Sequence, residues 1–210
     1  MPDPTRPVTG YAVLGLLSLR PWTTYELAQQ VRRSLHWFWT RAERRIYEEP
    51  KRLVDHGWVE ASEGWTGKRR HTTYAITDAG REALATWLGT PAQVRTVEDE
   101  AMLRVFFADG GTLEQLQARL DELAQMTRGR LEELASMTEE LLADGGAFPG
   151  RLHLQALALR RQVDQETDTL AWVAWARRQS ERWASTTDPA GWDAARVLRE
   201  VLADARAATP

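Results

Sequence analysis

Between residues 9 and 77 the apolar residues change period once, and that change restricts the fold more than any other feature of the chain. Helical spacings come first. Thr9–Leu19 carries Tyr11, Val13, Leu14, Leu16, Leu17 and Leu19 nearly all round, which predicts a buried helix. Pro21 stops it. Thr23 or Thr24 can cap a second helix with Tyr25, Leu27, Ala28 and Val31 inward. His36–Thr40 leads to a third helix, opened by a Thr40–Glu43 capping box, running to about His56 and stopped at Gly57. Trp37, Phe38 and Trp39 before that cap read as a hydrophobic staple and core fill rather than the alternative, a ligand wall. The period then becomes two. Trp58–Ser62 and Thr72–Thr77 read as strands, joined by Glu63–His71 with its glycines and the basic run Lys68-Arg69-Arg70. Asp78 is the expected cap of a further helix, with Ala83, Leu84, Trp87 and Leu88 as its stripe. Three helices and then a hairpin with a basic tip is the order of a winged helix-turn-helix, so the fold class is mainly α with a small β-hairpin.

After a short linker everything reads as helix. Residues 1–90 are expected to form the winged head, 91–97 the linker, 98–187 an all-α dimerisation and effector domain, and 188–210 a last helix and tail. Glu98–Ala108 carries Met102, Val105 and Phe106 on one side, and Asp109-Gly110-Gly111 ends it. From Thr112 to about Ala143 the positions Leu113, Leu116, Leu120, Leu123, Thr127, Arg130, Leu134, Met137 and Leu141 alternate steps of three and four, a coiled-coil seam. Thr127 and Arg130 interrupt it, with Met126 and Leu131 as partial replacements. Pro149–Trp183 repeats the spacing through Leu152, Ala156, Leu159, Val163, Glu166, Leu170 and Val173. Asp188-Pro189 is the expected start of the last helix, with Trp192, Leu198, Val201 and Leu202.

Composition removes several function classes. There is no cysteine, which excludes disulfides, thiol catalysis and cysteine-ligated zinc. No apolar run is long enough for a membrane-spanning helix, and the polar, proline-rich start is not a signal peptide. The cytoplasm, on the nucleoid, is the expected location. His36, His56, His71 and His153 are scattered, with no metal-ligand spacing, and no phosphate loop or nucleophile elbow occurs. Paired acids such as Glu48-Glu49 and Glu132-Glu133 are adjacent on helices and point about 100° apart, as solvated faces do. The expectation is a protein that is not an enzyme and needs no metal or cofactor. The formal net charge of −3 is unevenly spread: residues 1–90 are net basic and the remainder net acidic, which places any polyanion on the first half.

The third helix carries the chemistry. Ile46, Pro50, Leu53 and Val54 form its inward stripe, while Arg41, Arg44, Arg45, Glu48, Lys51 or Arg52, and Asp55 lie opposite, the N-terminal half of that face strongly basic. Arginine reads guanine through paired hydrogen bonds in the major groove. The bland alternative is an ordinary amphipathic helix with pairs such as Arg45–Glu49. The stretch Arg45-Ile46-Tyr47-Glu48-Glu49-Pro50-Lys51-Arg52-Leu53-Val54-Asp55-His56-Gly57-Trp58-Val59 resembles the recognition-helix signature of PadR-family transcriptional regulators, I-Y-P-x-L-x-R-L-x-x-x-G-L-V. Leu14-Gly15-Leu16-Leu17 resembles the family's opening helix, and Pro21-Trp22-Thr23-Thr24-Tyr25-Glu26-Leu27 its P-x-x-G-Y-E-L, with Thr24 at the usual glycine. Arg69-Arg70-His71-Thr72-Thr73-Tyr74-Ala75-Ile76-Thr77-Asp78-Ala79-Gly80 is similar to its wing and following helix start. Glu48 stands at the usual proline and Pro50 at the usual leucine, and a proline inside a helix removes a bond and kinks it.

The resemblance implies a homodimeric, effector-responsive regulator, expected to be a repressor, on a pseudo-palindromic double-stranded operator. Its expected DNA contacts are Thr24, Tyr25, Arg41, Arg44, Arg45, Tyr47 and Lys51 from the helices and Lys68, Arg69, Arg70 and His71 from the wing. The expected site for a small aromatic effector is Thr127, Arg130, Trp172 and Trp175. Trp172 and Trp175 share a face and can equally pack a dimer interface. The rival reading is a helical scaffold whose winged head binds protein, with an affinity that does not fall steeply with salt.

Overall fold

A computed structural model describes residues 8–35, 39, 46–67, 69–92 and 98–209. The chain divides into two compact units, Met1–Arg95 and Thr96–Pro210.

The first unit is built round α1 (Val8–Leu17), whose Tyr11, Val13, Leu14, Leu16 and Leu17 are all buried. A helix apolar on every side needs cover on every side. It packs on α3 (Glu49–Asp55), α4 (Asp78–Leu88) and β3 (Arg69–Ile76). Tyr11 stacks on Trp87 of α4, centroids 4.8 Å apart and planes 4° from parallel. A short strand β1 (Trp22–Thr23), absent from the sequence expectations, pairs with β3 at Trp22–Tyr74 and Thr23–Thr73. Trp22 is buried and its indole N–H donates to the Leu16 carbonyl at 2.8 Å, tying the strand to the end of α1. Thr23 caps α2 (Thr24–Ser34) in a full capping box: its hydroxyl accepts from the Glu26 N–H, and the Glu26 carboxylate accepts from the Thr23 N–H at 2.8 Å.

Three local expectations are corrected. The third helix does not run unbroken to His56 through its proline. Residues 46–48 form a turn and α3 begins at Glu49, so Pro50 occupies the first helical turn, where the missing N–H would have no partner in any case. The expected interior kink does not arise there, and the Thr40–Glu43 cap lies outside the described residues. The hairpin loop is much shorter than Glu63–His71. Strands β2 (Val59–Thr66) and β3 stay paired from Val59–Ile76 out to Thr66–Arg69, leaving a two-residue connection at Gly67 and residue 68. Gly67 has φ +61°, the left-handed region such a tight turn demands. Finally, Thr77 rather than Asp78 caps α4: its hydroxyl accepts from the Gly80 N–H at 3.1 Å and donates to the Gly57 carbonyl at 2.8 Å. One side chain thereby closes the root of the wing.

The second unit opens with α5 (Glu100–Phe106), followed by a short 3₁₀ turn at Ala108–Gly110. Helix α6 (Leu113–Asp144) starts from a Thr112–Gln115 capping box and stops at Gly145, φ +76°. Helix α7 (Leu152–Ser180) returns antiparallel to it, as the pairs Asp121–Arg177 (2.6 Å) and Arg130–Glu166 (3.4 Å) require. Leu116, Leu120, Ala124 and Val173 form the core here, with Leu123, Leu170, Trp172 and Trp183 packed around it. The polar break in the seam resolves unexpectedly. Thr127 is itself buried, while Met126, expected to fill the gap, is exposed. A small residue lets two helices approach closely without a large partner. The last helix, α8 (Ala194–Ala207), starts six residues later than Asp188 because Trp192 is held back on α7, donating to Gln179 Oε1 at 2.9 Å; Asp193 supplies the cap instead.

Three outcomes follow from these contacts. Thr23→Ala should lower unfolding stability by about 1 kcal/mol in chemical denaturation. The Thr23 N–H, together with the Thr23 hydroxyl and Arg20, holds the Glu26 carboxyl below its usual range against the opposing effect of burial. That contribution is complete above the ordinary carboxylate pKa and disappears as pH falls through the depressed one, so Glu26→Gln should flatten the acid limb of the stability profile. Gly80→Ala tests the wing root: a Cβ there would lie 2.2 Å from the Trp58 carbonyl oxygen, so backbone must move. The expected loss is roughly 1–3 kcal/mol, read by thermal unfolding.

Candidate nucleic-acid interface

Helix α2 buries Leu27, Ala28 and Val31 and exposes Tyr25, Gln29, Arg32 and Arg33. The exposed set has spacing i, i+4, i+7, i+8 and therefore forms one strip. Tyr25 leads it, 61% exposed, with its hydroxyl accepting from the Gln29 amide at 3.0 Å. Thr24, the expected neighbour in the contact set, is half-buried in the first turn. Arg32 and Arg33 were not anticipated as surface contacts. The signal was available, since they continue the Tyr25 face two turns on.

On α3, Leu53 and Pro50 are buried and Lys51, Arg52 and Asp55 are exposed. Tyr47, in the turn before it, is 54% exposed. Tyr47 and Lys51 are thus presented to solvent as expected. Among the described residues of this face the charge is mixed. Arg52 lies 3.8 Å from Glu48 through one nitrogen and 3.8 Å from Glu49 through another. Among the described residues Glu49 pairs forward with Arg52, and the expected Arg45–Glu49 pair lies outside them. Arg41, Arg44 and Arg45, which carry the basic half of the expected reading face, lie outside the described residues.

The wing presents a similar restraint. Arg70 is exposed but bonded across the hairpin to Glu63, whose carboxylate also pushes the guanidinium pKa up. Arg69 stands in β3 opposite Thr66. His71 is half-buried on the same strand, close over the backbone of Gly64, where a Cβ would come within 2.9 Å of its Nε2. Lys68 lies outside the described residues.

The four expected effector residues differ in their surroundings. Thr127 is buried between helices, and Arg130 is exposed and paired with Glu166. Trp172 packs on the core, and Trp175 is half-buried. A separate open cavity of about 550 Å³ lies at the corner of α5 and α6, with Leu103, Arg104, Phe107, Leu116 and Arg119 in its walls. None of the four lines it.

Residues 13–86 match the transcriptional regulator PadR-like family, and residues 97–181 match the virulence activator alpha C-terminal family. A curated relative, the negative transcriptional regulator PadR of Bacillus subtilis, is 26% identical over 170 residues, covering 79% of this chain and 93% of its own length. The crystal structure of Bacillus subtilis PadR in complex with operator DNA superposes with a TM-score of 0.73, covering 83% of this chain and 99% of that one, at 24% identity. The same protein in complex with p-coumaric acid gives a TM-score of 0.67 over the same shares. Winged head, basic-tipped hairpin and antiparallel helical unit agree with both matches: residues 13–86 are a head of the PadR-like transcriptional regulator type, and residues 97–181 a helical C-terminal domain of the virulence activator alpha type.

Proposed function

We propose that this chain is a cytoplasmic homodimeric repressor that binds a pseudo-palindromic double-stranded operator. The observation that carries the reading is the exposed Tyr25–Gln29–Arg32–Arg33 strip of α2 in a winged head matched to this family. In such heads the third helix enters the major groove and the helix before it crosses the backbone. Tyr25, Tyr47 and Lys51 are exposed for contact, and Arg41, Arg44 and Arg45 complete the reading face from the sequence. The hairpin tip, with Lys68 and Arg69, touches flanking phosphate, while Arg70 is held by Glu63. Repression follows the Bacillus relative, which is named a negative regulator.

Residues 98–187 are the dimerisation and effector domain in this reading, with 188–210 contributing α8. Support comes from uncovered apolar surface. Phe106 of α5 is 77% exposed and Leu198 of α8 is 67% exposed, with Leu103, Phe107, Val201 and Leu202 also open. A helix the length of α8 is marginal alone in water, so its stripe wants a partner. A small aromatic effector is supported by the p-coumaric acid complex of the Bacillus protein. Thr127, Arg130, Trp172 and Trp175 remain the proposed region, where a ligand wedged between the helices would act. Such a ligand changes DNA affinity only if it binds two dimer arrangements unequally.

Selection from a random duplex library with the full chain should enrich one two-fold symmetric sequence, and failure to enrich any would refute operator binding. On that sequence Arg44→Ala or Arg45→Ala should cost roughly 1–3 kcal/mol and relax choice at one base pair. Lys68→Ala should instead weaken all sequences alike and flatten the salt slope by about one unit. For assembly, Leu198→Asp with Val201→Asp should shift the sedimenting species from dimer to monomer. An unchanged dimer would remove α8 from the interface.

A further inference from the structure

The residue that least suits its surroundings is Glu49. Its side chain is almost wholly buried, at the first position of α3, and Oε2 accepts no hydrogen bond from the described residues. The space it occupies exists because α1 has glycine at position 10: a Cβ there would stand 2.8 Å from Glu49 Oε1. A carboxylate taken out of water needs a compensating charge. Among the described residues that charge is Arg52, whose Nη1 lies 3.8 Å from Glu49 Oε2 while Nη2 lies 3.8 Å from Glu48 Oε2. The planar guanidinium can serve two carboxylates at once from its separate N–H groups.

We infer that Glu49 is a positioning residue for DNA recognition: buried against Gly10, it holds Arg52 back on the first turn of α3 and keeps that cation from binding DNA phosphate indiscriminately. The inference rests on α3 being part of the DNA-reading surface. Its physical basis is a difference in cost between two arrangements. An exposed, unpaired arginine beside a duplex gains affinity for any sequence by releasing counterions. Among the described residues, Arg52 can do so only by leaving a buried carboxylate uncompensated, which is far costlier than leaving an exposed one. Glu48, on the solvent side, adds a second tie that is weak by itself, as exposed pairs are. The neighbouring cation Lys51 has no such restraint among the described ion pairs, so the two adjacent basic residues of α3 take different roles. The same device fits the neutralised Arg70–Glu63 pair on the wing, though both partners there are exposed.

The test uses the full chain and the variants Glu49→Gln, Arg52→Met and the double variant. Each is measured by thermal unfolding and by binding to a random-sequence duplex across a salt series. Arg52→Met should lower the melting temperature by several degrees, and Glu49→Gln should recover most of that loss in the double variant, because no buried charge is then stranded. Glu49→Gln alone should bind the random duplex more tightly, with a salt slope steeper by about one unit, and that gain should vanish when Arg52 is also replaced. A merely structural pair would change melting and leave the salt slope alone, and an unchanged slope for Glu49→Gln in a folded protein overturns the inference. A wild-type chain that binds no duplex overturns the operator reading and this role together, whereas a normal wild-type curve beside an unchanged variant slope overturns this role only.

Discussion

The burial of α1 is the constraint on which the head depends. Its apolar residues point in all directions, so no single neighbour can shield it, and α3, α4 and β3 must all close on it. A fully buried leucine or valine contributes roughly 1.5–3 kcal/mol through removal from water. Several such residues on one helix make that closure the dominant stabilising event of the unit. The surface geometry then follows. With α3 seated on α1, Leu53 and Pro50 face inward and Lys51 and Arg52 face out. The wing is fixed at its root by Thr77 and Gly80 because α4 lies against the same helix.

Charge on the candidate DNA surface is more restrained than the arginine count suggests. Arg52 is engaged by Glu48 and Glu49, and Arg70 by Glu63. A regulator must reject a great excess of non-operator sequence, and phosphate attraction alone offers no discrimination. Pairing part of the basic surface with carboxylates lowers sequence-blind affinity and leaves reading to groups that meet base edges. The two units meet this demand with opposite charge balance, the head net basic and the helical unit net acidic, which confines polyanion attraction to the head.

The second unit shows how a polar residue can belong to a helical seam. Thr127 occupies a seam position and is buried, whereas Arg130 one turn later turns to solvent and meets Glu166 from α7. A threonine keeps the helices close, and an arginine can lay its stem along the interface with its charge at the edge. Val105 of α5 packs on the core, whereas Leu103 and Phe106 of α5 and Leu198, Val201 and Leu202 of α8 stay exposed and are the unit's unsatisfied surface.

Local chemistry made much of this legible from the sequence. Helical and alternating periods depend only on which side chains recur every three to four or every two residues, so α1, α2, the hairpin strands, α4, α6 and α7 could be placed without coordinates. The cap at Thr112 was readable because its partner Gln115 lies within one turn. Errors came where a local signal had to compete with a distant partner. The hairpin ran on to Gly67 because cross-strand bonds pair Gly64 with His71 and Thr66 with Arg69, and glycines that look like loop residues can be paired. Strand β1 exists only because Tyr74 and Thr73 come alongside it. Thr77 displaced Asp78 as a cap because its hydroxyl also reaches Gly57, twenty residues away. Glu49 is the clearest case. As a letter in a charged helix it reads as solvated, and only the packing of α3 on Gly10 makes it a buried charge that commits Arg52. The sequence by itself determined which segments become helix or strand and where their apolar faces lie, because those are properties of neighbours in the chain. Tertiary structure decided which charges are buried, which are paired and where strands end, because those depend on groups that only folding brings together.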